Sequence, residues 1–156
     1  MSKIIKLKPL ILSIVIPLAV GGVASLLSLS GIKGFENLNK PAFTPPGFAF
    51  PIAWTILYVL MGISCYIVYI SKCANKTDSL KIYALQLFLN FLWPIFFFGF
   101  KLYWFAFVIL LGLLLAIGFM IYRFYYCKKQ AAYLQIPYFL WVLFAGILNF
   151  SVALLN

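Results

Sequence analysis

The sequence predicts an all-α integral membrane protein, a five-transmembrane-helix bundle with a structured loop between the first two helices. Three observations carry that reading. Of the 156 residues, 66% are hydrophobic and only 9% charged, too few polar groups to cover a water-soluble surface. The charges fall at the edges of apolar runs or between them. At about 1.5 Å of rise per residue, these runs are long enough to cross roughly 30 Å of hydrocarbon. Between the first two runs lies a proline- and aromatic-rich stretch, KPAFTPPGFAFP, in which each proline fixes its own φ and gives the loop a defined shape.

The expected spans are residues 10–30, 49–70, 82–100, 102–122 and 132–155, with 31–48 as a lid and the whole chain, 1–156, as one membrane domain. The first run follows Lys3, Lys6 and Lys8 and exceeds the roughly 7 to 15 apolar residues of a signal peptide, so it reads as a retained helix. Pro17 is tolerable inside it because neighbouring helices can satisfy the freed carbonyl, and Gly21, Gly22, Ala24 and Ser25 allow close packing. The lid is longer than most connections in a compact fold. Phe35, Phe43, Phe48 and Phe50, together with Pro45 and Pro46, argue that it is ordered.

In the second helix Pro51, Trp54, Tyr58, Met61 and Cys65 recur every three or four residues and share a face. Lys72, Lys76, Asp78 and Lys81 read as a polar link. The third helix carries Gln86, Asn90 and Trp93 on one stripe. Amides at membrane depth are costly unless they face protein, water or a ligand, so the stripe points inward. Gln86 is expected to bond another helix first, and the partner of Asn90 is left open. Pro94 is expected to kink this helix and free the carbonyl of residue 90. Gly99, Phe100 and Lys101 make so short a turn that the third and fourth helices must be antiparallel neighbours. The fourth helix receives no chemistry. The fifth repeats the pattern of the second, with Pro137, Tyr138, Trp141, Ala145, Leu148 and Asn149 on one face.

Several function classes drop out. The chain has no histidine and only two acidic residues, Glu36 and Asp78, so it lacks paired carboxylates, a Ser-His-Asp set and an intramembrane acid for proton relay. No metal site is expected. Cys65, Cys73 and Cys127 are odd in number and lack C-x-x-C spacing, which implies neither a disulfide framework nor zinc. The net charge of +10 comes from residues flanking the spans and reads as orientation signal and lipid-headgroup contact; nucleic acid is not an expected partner. Counted on alternate sides, nine Lys and Arg fall with the N-terminus, second and fourth loops and three with the first and third loops. A multi-pass cell-membrane protein with a cytoplasmic N-terminus and the lid outside is therefore expected.

The run KPAFTPPGFAFPIAWTILYVLMG, followed by LQLFLNFLW and IPYFLWVLFAGILN, resembles the TspO/MBR family, also called the tryptophan-rich sensory protein, translocator protein or peripheral-type benzodiazepine receptor. The likeness covers all five helices in order. It implies a membrane receptor or sensor whose first loop closes over a pocket for porphyrins of the protoporphyrin IX type, for sterols in some members, and for synthetic benzodiazepine-type ligands. Some bacterial members are reported to degrade protoporphyrin IX in light, attributed to two pocket tryptophans, which motif position puts at Trp54 and Trp141. By the same matching, Tyr58, Asn90, Trp93, Tyr138, Ala145 and Leu148 line the pocket with those two indoles, and Pro45 and Pro46 belong to its lid. No cofactor is required, the porphyrin being ligand or substrate. Transport of porphyrin, lipid or sterol across the bilayer is the alternative function. The partners implied are such an apolar small molecule and membrane lipids; a homodimer stays open, with no interface assigned. The family often has tryptophans where this loop has Phe43 and Phe48, which keep stacking area and lose the indole N–H. The central expectation is that Trp54 and Trp141 face each other across a cavity roofed by the Pro-Pro-Gly segment.

Overall fold

A computed structural model describes residues 5–156, whose regular structure is all helical, with no strand among the described residues. Lys3, one of the cations counted for orientation, lies outside them. The chain runs as α1 (Leu7–Leu27), α2 (Leu29–Gly34), a 3-10 turn (Phe35–Asn37), α3 (Ala49–Tyr69), α4 (Lys76–Pro94), a π-turn (Ile95–Gly99), α5 (Tyr103–Cys127), α6 (Lys129–Leu134) and α7 (Ile136–Leu155). Five of these stretches, with α4 continued by the π-turn and α6 joined to α7, are long and apolar enough to cross a membrane. Helix α1 packs on α3 and α4, α4 on α5, α5 on α7, and α3 on both α6 and α7. The spans therefore close into a ring in the order α1, α3, α6–α7, α5, α4. The ring's outer face shows large apolar side chains such as Leu115, Val108 and Leu154, which is stable only against lipid.

Where α1 meets α3, the sequence sets the distance. Pro17 has no N–H for the carbonyl of Ser13, and Gly62 of α3 lies so close there that an added Cβ would collide with the Ser13 carbonyl and with Ile14. The core falls into two clusters. One, around Met61, Leu110, Ile117, Phe124 and Tyr138, fills the bundle's middle and its basic end. The other gathers Phe35, Phe97, Ala106 and Val152 beneath the lid, with Phe50, Trp93 and Phe98 against them.

Helix bounds differ from the expected ones for identifiable reasons. Helix α4 begins at Lys76, six residues before 82, because the apolar run marks the membrane core and not the helix. Of the residues expected as a polar link, Lys76, Asp78 and Lys81 supply its first turns, where Asp78 sits favourably near the positive end of the helix dipole and the Ser79 hydroxyl bonds the Asn75 carbonyl at 3.0 Å. Helix α5 likewise continues to Cys127. The expected lid, 31–48, opens with helix: α2 and the 3-10 turn cover its first third, and Gly31 presses on the Phe98 backbone where a Cβ would clash. The fifth span is broken at Gln135, because Pro137 in the first turn of α7 has no N–H to continue α6.

Pro94 gives a π-turn in place of a simple kink. The Phe100 N–H bonds the Ile95 carbonyl and the Leu102 N–H bonds the Phe96 carbonyl, both at 2.9 Å. Lys101 closes this wide turn with φ 56°, a left-handed conformation that L side chains adopt at a cost. The cysteine reading is also corrected: Cys73 and Cys127 form a disulfide, with Cα atoms 5.1 Å apart. Parity concealed it. The usable signal was position, since both cysteines flank span ends on the same side of the bundle.

Candidate functional site

Beneath the lid, α1, α3, α4 and α7 diverge around a cavity of about 400 Å³, within the roughly 300–1,000 Å³ usual for small-molecule sites. Its walls are built element by element. Helix α1 contributes Gly21, Ala24 and Ser25, small residues that leave space. Helix α3 contributes Pro51, Trp54 and Tyr58, one turn apart on the stripe that the sequence predicts. Helix α4 and the π-turn contribute Asn90, Trp93, Phe97 and Phe98, and α7 contributes Ala145, Leu148 and Asn149. The roof is Ile32, Lys33, Phe35, Glu36 and Gly47.

Trp54 is the hub of the aromatic wall. Its ring stacks on Tyr58 at 5.6 Å between centroids and lies 6.4 Å from Trp93, 6.3 Å from Tyr138 and 6.5 Å from Trp141. Such offset and edge-on pairs are the favourable aromatic geometries. Phe35 packs edge-on to Phe50 and Phe98, each near 6 Å, and so joins roof to wall.

The amides at membrane depth are bonded within the bundle. The Tyr58 hydroxyl donates to Asn90 Oδ1 at 2.8 Å, Asn90 Nδ2 donates to the Tyr138 hydroxyl at 2.8 Å, and that hydroxyl donates to Gln86 Oε1 at 2.7 Å. Gln86 Nε2 ends the chain on the Met61 sulfur at 3.5 Å. A second link runs from Trp93 Nε1 to Asn149 Oδ1 at 2.9 Å, and from Asn149 Nδ2 to the Tyr103 carbonyl at 3.0 Å. Deep in the cavity the polar edge is formed by Asn90 and Asn149, whose carboxamides each keep a spare lone pair or N–H. Ser25 of α1 and the roof residues Lys33 and Glu36 add polar groups nearer the lid.

Six of the ten residues expected at the site line this void: Trp54, Tyr58, Asn90, Trp93, Ala145 and Leu148. Four do not. Tyr138 is fully buried one layer behind, as the middle of the hydroxyl–amide chain. Trp141 packs edge-on against Trp54 and Phe50 and at a tilt against Phe144, and does not border the void; its indole N–H has no partner among the described residues. The two indoles expected to oppose each other across a cavity instead touch directly, and the pair bordering it is Trp54 and Trp93. Pro45 and Pro46 line a separate cleft on the lid's outer side, with Asn39, Lys40 and Thr44. Sequence reasoning missed Phe97 and Phe98, because a π-turn rotates residues away from the 3.6 periodicity used to assign faces. It also missed Lys33, Phe35 and Glu36, which lie in the stretch expected as the lid and stand on helical turns over the cavity.

The lid is pinned from outside the site. Asn156 Nδ2 donates to the Asn39 carbonyl at 2.9 Å, and the Asn39 N–H donates to Asn156 Oδ1 at 3.3 Å. A Lys40 ammonium lies 4.8 Å over the Phe35 ring. Among the described residues no cluster of His, Cys, Asp or Glu could hold a metal ion.

These features define a multi-pass α-helical membrane protein with a lidded, aromatic-walled cavity at one end. The sequence profile described as TspO/MBR family matches residues 13–155, and the chain belongs to that family. It is 38% identical over 148 residues to the tryptophan-rich protein TspO of Archaeoglobus fulgidus, covering 94% of this chain and 96% of that one. It is 34% identical over 122 residues to the tryptophan-rich sensory protein of Cereibacter sphaeroides, covering 78% of this chain and 76% of the other. With the human translocator protein, identity is 32% over 126 residues, covering 78% and 74%.

Proposed function

We propose that the chain is a membrane receptor or sensor that binds porphyrins of the protoporphyrin IX type, and other flat apolar molecules, in the cavity beneath the first loop. The observation that carries this is the wall itself. Two indoles and four phenylalanine rings surround about 400 Å³ whose deep polar groups are carboxamides, with Lys33 and Glu36 at the roof, a match for a broad apolar disc with a polar edge. Among the described residues no histidine or cysteine lines that void and no cluster could hold a metal ion, which favours recognition over hydrolysis.

Titration of purified protein in detergent with protoporphyrin IX, followed by tryptophan fluorescence, tests the reading. Saturable quenching at micromolar porphyrin is expected. Ala145→Phe, which places a ring inside the void, should weaken it at least tenfold with little change in thermal midpoint. Quenching that persists unchanged in Ala145→Phe would place binding elsewhere.

The light-dependent reading rests on Trp54, which borders the void and has Trp141 directly behind it at 6.5 Å. Electron exchange between an excited porphyrin and the wall would begin at Trp54, with Trp141 as the second indole. Porphyrin should then bleach faster with protein than without, and Trp54→Phe should abolish the difference; equal bleaching ends this reading.

The charge count puts the N-terminus in the cytoplasm of the cell and the lid outside. Phe43 is half exposed on the lid. Phe43→Cys, in a chain freed of native cysteines, should react with a membrane-impermeant maleimide in intact cells. Reaction with permeant reagents alone would reverse the orientation.

A further inference from the structure

We infer that the cleft on the lid's outer side is a second subsite, which takes an anionic arm of the ligand whose apolar body fills the inner cavity; this rests on the cavity being the ligand site. The cleft, of about 590 Å³, is lined by Asn39, Lys40, Thr44, Pro45 and Pro46 among others. Glu36 and Gly47 line both it and the inner cavity, so the two voids adjoin at these residues. Gly47 leaves the passage open. A Cβ there would stand 3.1 Å from the Glu36 carboxylate oxygen.

The chemistry divides along the same line. Inside, the carboxamides are already engaged with Tyr58, Tyr138, Trp93 and Tyr103, and the charges that reach the inner cavity, Lys33 and Glu36, stand in its roof. The charged side chains bordering the two voids are Lys33, Glu36 and Lys40, two cations against one anion. The Lys40 ammonium stands 4.8 Å over the outer side of Phe35, a ring that itself walls the inner cavity. A cation thus sits one aromatic thickness from the apolar site, within reach of a carboxylate on a short flexible chain. Glu36 opposes that charge from the passage. The pair makes the lid a selector: it favours flat apolar acids over neutral molecules of the same shape, with Lys40 attracting and Glu36 tempering.

The test uses protoporphyrin IX and its dimethyl ester, which share one ring system and differ in charge. Fluorescence titrations in detergent at low salt should show the wild-type protein preferring the diacid by about fivefold, the scale of an exposed charge pair, and losing that preference at high salt. Lys40→Gln should lower diacid affinity by a similar factor and leave the ester unchanged. Glu36→Gln should raise diacid affinity, again without effect on the ester. Gly47→Val, which narrows the passage, should erase the preference. Opposite signs at two neighbouring residues, confined to the charged ligand, are not produced by a loosened lid. Equal wild-type affinity for diacid and ester overturns the subsite and leaves the porphyrin reading standing. Loss of both ligands in Lys40→Gln shows a structural role and also overturns it. Failure of both ligands to bind the wild type removes the subsite and the porphyrin reading together.

Discussion

Asn90 joins three spans through one carboxamide, accepting from Tyr58 of α3 and donating to Tyr138 of α7. Interhelical hydrogen bonds in membrane proteins average about 0.6 kcal/mol and reach about 1.7, so the two together are worth roughly 1–3 kcal/mol. Asn90→Leu keeps the number of side-chain heavy atoms, leaves the buried Tyr58 hydroxyl without its acceptor and removes a donor from the Tyr138 hydroxyl, which keeps Gln86. It is expected to lower the thermal midpoint in detergent, whereas Ile109→Leu on α5 should leave it nearly unchanged; an unaltered Asn90→Leu would show that the amide serves the ligand and not the bundle. The inward stripe Gln86, Asn90, Trp93 was legible because desolvating an amide forces it to face protein. Its partner was not. Tyr138 lies 48 residues away, and a tyrosine beside a helix-entry proline looks the same whether it borders a void or stands behind one. Trp141 was misplaced for the same reason: helical spacing gives the face a residue occupies and says nothing of which neighbouring ring fills the space in front of it.

Among the elements, the α1–α3 contact shows two weak signals reinforcing each other. A proline frees one carbonyl, and a glycine on the next span lets its backbone come up to that place. Gly62→Val would drive a side chain into the α1 backbone, which cannot yield as a flexible side chain can. Overpacking of this kind costs about 1–3 kcal/mol, and Gly22→Val on the same α1, where a Cβ meets nothing, supplies the control. The expected result is a lower thermal midpoint for Gly62→Val alone. At the π-turn the opposite sign is expected: Lys101→Gly removes a side chain from φ 56° and should stabilise by up to about 1 kcal/mol, read as a small upward shift in midpoint. Span existence was plain in the sequence because hydrocarbon thickness dictates length. The helical start of the lid and the π-turn were not, since both depend on where Gly31 meets the Phe98 backbone, a tertiary contact with no periodic trace.

At the scale of the molecule, the bundle is fastened at opposite ends by different means. The lid end is held by reciprocal Asn39 and Asn156 bonds, which break and reform easily and would suit a roof that opens for the proposed ligand. The basic end is held by Cys73–Cys127, closing a separation of 54 residues. Chain-entropy bookkeeping for a loop of that length gives roughly 4 kcal/mol, an upper figure because helices persist in the bilayer-unfolded chain. The bond also bears on orientation. Nine of the twelve cations flank this end in the sequence count, which in the orientation proposed above faces the cytoplasm, where thiols are normally kept reduced. The two signals agree only if the pair exists as thiols in the cell and closes on oxidation, when a small-molecule disulfide exchanges its two sulfurs for one protein disulfide and leaves as two thiols. Trapping thiols in intact cells with a permeant maleimide should therefore add mass at Cys73 and Cys127. The same protein isolated without trapping should lose thermal stability on reduction, and a Cys73→Ser variant should not. A bond already closed in the cell would put the basic end in an oxidising compartment, reverse the orientation drawn from the charge count, and turn the lidded cavity toward the cytoplasm.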